Sequence, residues 1–236
     1  MSTTIFSDSF LSALGAWQNG WGEDQARRVA LADTLQNEAQ SLPPEFRTVS
    51  VACYRKRFLL IKDVIPLLTR RLNDGITSWT TDRNFAEEFK YRIRPNTITG
   101  VVFQHEPRSE DVVLNIPALW TDTEFVKAAE SYRARNMSMA DALFNFRGKR
   151  DQFEVVLKAP LNPEDVVTLG GETNTSFEEF CKQTNLPGLL EDKAWKELLT
   201  RDLAPAGPVF LRDEAAQNVV LRVINRLEDL LESLGR

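Results

Sequence analysis

Ile76-Thr77-Ser78-Trp79-Thr80-Thr81-Asp82-Arg83-Asn84-Phe85-Ala86-Glu87-Glu88-Phe89 changes its local order partway along. The residues up to Thr80 are mostly β-branched or aromatic, types that suit a pleated surface. Asp82 follows in the position of a helix N-cap. From there Phe85, Ala86 and Phe89 fall on one helical face, expected to pack inward, while Arg83, Asn84, Glu87 and Glu88 are expected to face out. A strand thus passes directly into a helix. Because strand side chains alternate, Ser78 and Thr80 lie on one side and Trp79 on the other. Two hydroxyls flanking an aromatic suit the holding of a ligand; they equally suit an ordinary strand-to-helix turn.

Upstream, Val49 to Arg55 is an apolar run closing on Tyr54-Arg55, and it reads as a strand. A helix is expected from about Asp63 to Asn73, carrying Ile65, Leu67, Leu68 and Leu72, with Asn73-Asp74-Gly75 as its stop. Downstream, Ile98 to Phe103, Val112 to Ile116, Gln152 to Lys158 and Val166 to Leu169 have the length and composition of strands. Thr121 and Glu124 stand at capping-box spacing ahead of a helix to Arg135, and Ser138 with Asp141 opens a shorter helix to Phe146. Residues 1 to 47 read as helical, with Phe10, Leu11, Leu14 and Trp17 in one stripe and a second run from Glu23 to Gln40. Trp17 and Trp21 are either a ligand platform or, more commonly for such residues, anchors of a helical layer. The tail from about Ser176 is helical again, and its last helix carries a seam of Ala216, Val220, Val223, Leu227, Leu230 and Leu234. The expected architecture is α+β: a mixed-sheet core over 48–170, a helical layer over 1–47 and a helical extension over 171–236.

Composition narrows the function classes. The chain has 236 residues, 42% hydrophobic and 27% charged, enough for one large domain with a proper core. Its apolar runs fall short of the ~20 residues of a membrane helix, and Met1-Ser2-Thr3-Thr4 does not open a leader, so a cytoplasmic location away from membranes is expected. Cys53 and Cys181 are expected to stay reduced, Cys53 as a buried thiol in an apolar strand. The single histidine, His105, removes mechanisms needing a His pair, and no Cys or His spacing suggests zinc, so no metal is expected. A Cys53–His105 dyad has no supporting motif. A net charge of −5 argues against a general nucleic-acid coat but leaves room for a local basic site.

Three polar anchors stand in order near strand ends: Arg55, Ser78 and Glu154. Together with Trp-Thr-Thr-Asp after the serine and the Ala86-x-x-Phe89 helix, this order resembles the Arg-Ser-Glu clade of mono-ADP-ribosyltransferases, in the C3-like Gln-x-Glu variant, over roughly residues 48 to 170. The resemblance implies NAD as substrate, without a metal. It implies that Arg55 binds the dinucleotide pyrophosphate, with Arg57 as second choice, and that Tyr54, Ser78, Trp79, Thr80 and Phe89 border the pocket. The chemistry suits: with no Gly-x-Gly-x-x-Gly opening a helix, a pyrophosphate must be held by side chains, and a guanidinium can do so in bidentate fashion. Otherwise Arg55, Lys56 and Arg57 form a solvated basic turn. Ser78 stands where the family carries Ser-Thr-Ser and this chain has Ser-Trp-Thr.

Glu154 is the expected catalytic group, because a carboxylate beside the ribose stabilises the positive charge that grows as nicotinamide departs. Gln152, two residues before it, is expected to share its face by alternation. In the resembled family glutamine there accompanies acceptors other than arginine: amide or hydroxyl groups of proteins, or guanine in nucleic acid. Phe146, Arg147, Lys149 and Arg150 stand where the family meets its acceptor, with Phe146 able to stack on a base and the cations to meet phosphates. A solvated turn accounts for them equally. The family role is that of a toxin, effector or defence enzyme, which implies a neutralising antitoxin partner, with the last helix as one contact. An NAD glycohydrolase and an inactive interaction module are the competing classes.

Overall fold

A computed structural model describes residues 5–20, 24–89, 99–148, 150–171 and 209–233. They group into two compact units interleaved along the chain: Met1–Arg55, Arg70–Ala86 and Gln104–Asn162 form the first, and Lys56–Thr69, Glu87–Phe103 and Pro163–Arg236 the second.

Caps start the helices of the first unit where polar side chains reach their orphan N–H groups. Ser7 accepts from the Phe10 N–H at 3.1 Å to start α1 (Asp8–Asn19), and Asp24 accepts from Arg27 at 3.0 Å to start α2 (Gln25–Ala39). Gly20 ends α1 at φ +74°, in the left-handed region that favours glycine. A 3-10 turn at Pro44–Arg47 precedes β1 (Cys53–Leu59), so this strand lies further along the chain than the expected 49 to 55 and carries Arg55 inside it. After β1 come α3 (Ile61–Leu68), β2 (Ile76–Thr80), α4 (Arg83–Glu88), β3 (Thr99–His105) and β4 (Val112–Asn115). Asn115 caps a short helix, α5 (Ile116–Thr121), and Asp122 caps α6 (Thr123–Arg135) through the Phe125 N–H at 2.7 Å. The expected Thr121 cap is therefore displaced: Thr121 is the last residue of α5, and its hydroxyl donates back to the Ala118 carbonyl. Next are α7 (Met137–Gly148) and β5 (Glu154–Lys158).

Within this unit the strand order is β4-β5-β2-β1. β2 pairs antiparallel with β1 at Tyr54–Thr80, and with β5 from Ile76–Lys158 to Thr80–Glu154. Ile76 and Val156 join the core formed by α1, α2, α5, α6 and α7. Phe6 is 1% exposed there and meets Phe46 and Phe125 edge-on at 5.4 and 5.2 Å. Burying a side chain of this size contributes ~1.5–3 kcal/mol.

In the second unit β6 (Val166–Gly171) lies between β3 and β7 (Val209–Arg212), and α8 (Asp213–Ser233) follows. β7 was not expected from sequence. Gly100 is required here, because a Cβ would stand 2.5 Å from the Gly170 carbonyl oxygen. The side-chain amide of Gln217 ties the start of α8 to the carbonyls of Glu164 and Val166. The expected seam is only partly buried: Ala216 and Val220 are in the core, while Val223 is 43% exposed. The side chains of Leu227 and Leu230 lie outside the described residues, as do Leu234, Trp21 and Cys181. No described helix is long and apolar enough to cross a membrane.

Two expected helices differ. α3 starts at Ile61, where Asp63 accepts from the Leu60 N–H at 2.9 Å, and ends before Arg70, whose φ is +54°. α4 reverses two expected orientations: Glu87 is 4% exposed and Phe89 41% exposed. The cause is polar. Arg212 and Thr168 take the Glu87 carboxylate inward, and α4 ends at Glu88, so Phe89 leaves the helical face.

Candidate active site

Antiparallel pairing brings Thr80 opposite Glu154, and Ser78 opposite Val156. Opposed residues share a face, so Ser78 is the diagonal neighbour of Glu154 on that face. The Ser78 Oγ donates to Glu154 Oε1 at 2.6 Å, in the range of a charge-assisted hydroxyl–carboxylate bond. Arg55 joins the group from β1. Its Nη1 donates to the Ser78 carbonyl oxygen at 2.9 Å and its Nη2 pairs with Asp74 Oδ2 at 3.1 Å. The three expected anchors are thus brought together through Ser78, its main chain meeting Arg55 and its hydroxyl meeting Glu154.

Asp74 reaches this position because Asn73-Asp74-Gly75 is a tight turn, with Asn73 Oδ1 accepting from the Gly75 N–H at 2.7 Å and Gly75 at φ +70°. Arg28 of α2 donates to the Asp74 carbonyl. From α1, the Trp17 indole N–H donates to the same Glu154 oxygen at 3.2 Å. Nothing local to Trp17 points to a partner 137 residues away, and nothing local to the Asn-Asp-Gly turn points to Arg55 or Arg28.

An open surface pocket of about 400 Å³ is lined by Tyr54, Thr81, Asp82, Arg83, Asn84 and Phe153; Arg55, Ser78 and Glu154 do not line it. Tyr54 and Phe153 are the chain neighbours of Arg55 and Glu154. The Thr81 N–H donates to the Phe153 carbonyl at 3.3 Å, and Asp82 accepts from the N–H groups of Asn84 and Phe85, confirming it as the cap of α4.

Several expected roles change. Gln152 lies in a 3-10 turn at Arg150–Gln152, and Phe153 takes φ +44° before β5 begins at Glu154. Alternation therefore does not run from Gln152 to Glu154, and the argument for a shared face fails. A non-glycine residue at positive φ is strained, and Phe153 holds that conformation while 44% exposed at the cavity wall. Trp79 is 3% exposed, with its indole N–H on Thr77 and its ring 5.9 Å from that of His105, so it lies in the core and not in a pocket. Thr80, the last residue of β2, is 5% exposed, and its hydroxyl accepts from the Asp82 N–H. Phe146 is buried in the first unit's core and presents no face for stacking. Phe89 belongs to the second unit. The side chains of Arg147 and Arg150 lie outside the described residues, as does Lys149.

Burial and hydrogen bonding shift two titratable groups elsewhere in this unit. Burial pushes the Cys53 thiol up to about 12, which leaves almost no thiolate near neutral pH for a nucleophilic role. Burial would also raise Asp111, but hydrogen bonds from the Arg108 side chain and backbone and from His105 outweigh it and hold the carboxyl below its ordinary range. His105 is thereby engaged at 3.2 Å with Asp111.

No family model matches the chain, no curated protein matches its sequence, and no solved structure matches its fold.

Proposed function

We propose that the chain is a mono-ADP-ribosyltransferase, moving ADP-ribose from NAD to a macromolecular acceptor other than an arginine side chain. The observation that supports this best is the run of contacts from Arg55 through Ser78 to Glu154, with an open pocket of about 400 Å³ at their chain neighbours Tyr54 and Phe153. These are the residue types that a dinucleotide without a glycine-rich loop requires. Arg55 supplies a cation for the pyrophosphate, and that anion would compete with Asp74 for the guanidinium. Tyr54 and Phe153 offer aromatic surface for planar rings.

The bond that breaks joins nicotinamide N1 to the ribose anomeric carbon. Its electron pair leaves with nicotinamide, whose ring nitrogen becomes neutral, and the ribose takes on oxocarbenium character. Glu154, oriented by the Ser78 hydroxyl, places a carboxylate charge where positive charge grows, so it favours the transition state over bound NAD. The acceptor's oxygen or nitrogen lone pair then forms the new bond to that carbon, and its proton passes to solvent or a nearby base. The acceptor class rests on the resemblance alone, in which a glutamine two residues before the catalytic glutamate accompanies acceptors other than arginine; Gln152 itself lies in the turn before β5.

Incubation of the chain with NAD labelled in its ADP-ribose portion and whole-cell extract tests the reading. Label in a protein or nucleic-acid fraction that disappears with Glu154→Gln supports transfer, and protease or nuclease sensitivity then names the acceptor class. Free nicotinamide without labelled macromolecule would make water the acceptor. Neither product from the wild-type chain would sink the reading.

A further inference from the structure

α1 reaches the candidate site through the indole N–H of Trp17. Trp17 is 3% exposed and belongs to the apolar cluster with Phe10, Leu14 and Val156. A buried indole needs a partner for its N–H, and any core carbonyl would serve without bearing on chemistry. Here the partner is Glu154 Oε1, the oxygen that also receives the Ser78 hydroxyl. The two donors come from separately fixed elements. Ser78 is held by the continuous β2–β5 pairing, and Trp17 by a capped helix whose other inward residues include Phe10, Leu11 and Leu14. Donors fixed from two directions restrict a carboxyl group's rotation more than one donor does.

We propose that Trp17 is a positioning residue for Glu154: its indole N–H sets the carboxylate's orientation, which makes α1 part of the site. The proposal rests on reading Glu154 as the group that stabilises the oxocarbenium ion. The expected effect lies in kcat and not in KM, because the interaction aids a charge that develops after NAD is bound. At 3.2 Å the bond is at the long end of its range. Its loss should therefore cost about fivefold to tenfold in kcat.

The N–H can be removed from the full-length chain in two ways. Trp17→Phe shortens the ring system, and 3-benzothienylalanine at position 17 keeps the bicyclic shape with sulfur in place of N–H. A first readout needs no NAD: the proton–nitrogen cross-peak of the Trp17 indole, assigned by its loss in Trp17→Phe, is compared between the wild-type chain and Glu154→Ala. Pairing predicts an upfield shift and faster hydrogen exchange in Glu154→Ala. The second readout is NAD turnover. Both substitutions should lower kcat by about fivefold to tenfold with KM within about twofold, and the benzothienyl variant should melt with the wild type. Wild-type kcat in the benzothienyl variant, or an indole cross-peak indifferent to Glu154→Ala, would overturn the proposal. Should the wild-type chain turn over no NAD, the transfer reading falls by itself and the indole measurement alone decides whether Trp17 holds Glu154.

Discussion

Glu87 and Glu154 are both glutamates held by a hydroxyl and a nitrogen donor, in different units of the molecule. Glu87 is 4% exposed; Thr168 donates to it at 2.8 Å, and Arg212 grips it through Nε and Nη2, with a closest approach of 2.6 Å. Glu154 is half-buried, with Ser78 at 2.6 Å and the Trp17 indole at 3.2 Å. A buried carboxylate with a guanidinium on it has its charge spent on holding structure together. A half-buried carboxylate met by a hydroxyl and an indole is held in direction without being sealed into the core. The contrast teaches that the number of hydrogen bonds says little about a glutamate's role; burial says more.

The sharpest way to break this contrast is Glu154→Gln. It should lower transfer by about 10²–10³-fold, with the unfolding temperature nearly unchanged, as measured by labelled NAD and thermal denaturation. A variant that loses stability but keeps activity would reverse the two roles. Arg212→Ala should do the opposite and cost about 2–3 kcal/mol in urea unfolding, toward the lower end for a broken buried pair because the arginine itself is 55% exposed. A loss under ~0.5 kcal/mol would place the pair with ordinary surface ion pairs.

Ser78→Ala removes the shorter of the two described bonds to Glu154 and should reduce kcat about tenfold to a hundredfold. Because Arg55 meets the Ser78 main chain and not its hydroxyl, KM for NAD should change little in steady-state kinetics. A large rise in KM with kcat intact would move Ser78 from orientation to binding.

Asp111 gives the smallest effect and a third kind of carboxylate, buried but titratable through its pH response. Its native pKa lies below its ordinary 3.8, so its contribution to stability is fully present above that value and disappears as pH falls through the lower native one. Asp111→Asn should therefore be less stable than wild type at neutral pH, and the two should converge in urea unfolding as pH drops below about 4. A difference that persists unchanged into acid would assign the effect to lost packing.

Much of the secondary structure was legible because it is local. Ser7 and Asp82 cap the helices they precede, and Ile76 to Thr80 forms the strand its composition implies. Errors arose where one local signal competed with another. Asn115 and Pro117 open a short helix that uses up Thr121, and a 3-10 turn at Pro44–Arg47 delays β1. Gln152 looked like strand because the strained backbone at Phe153 leaves no mark in residue type. Trp79, Thr80 and Phe146 had the right chemistry for a site and went into structure, since burial depends on what packs over them.

By itself, then, the amino-acid order determined the type and approximate place of most strands and helices and placed Arg55, Ser78 and Glu154 as polar residues in or beside strands, because caps, alternation and turn chemistry act over a few residues. Only the tertiary structure decided that these three meet through Ser78, that Trp17 and Asp74 join them, and that Glu87 belongs to a buried ion pair. Those outcomes depend on strand register and on which side chains find partners far along the chain, and no short stretch of residues contains that information.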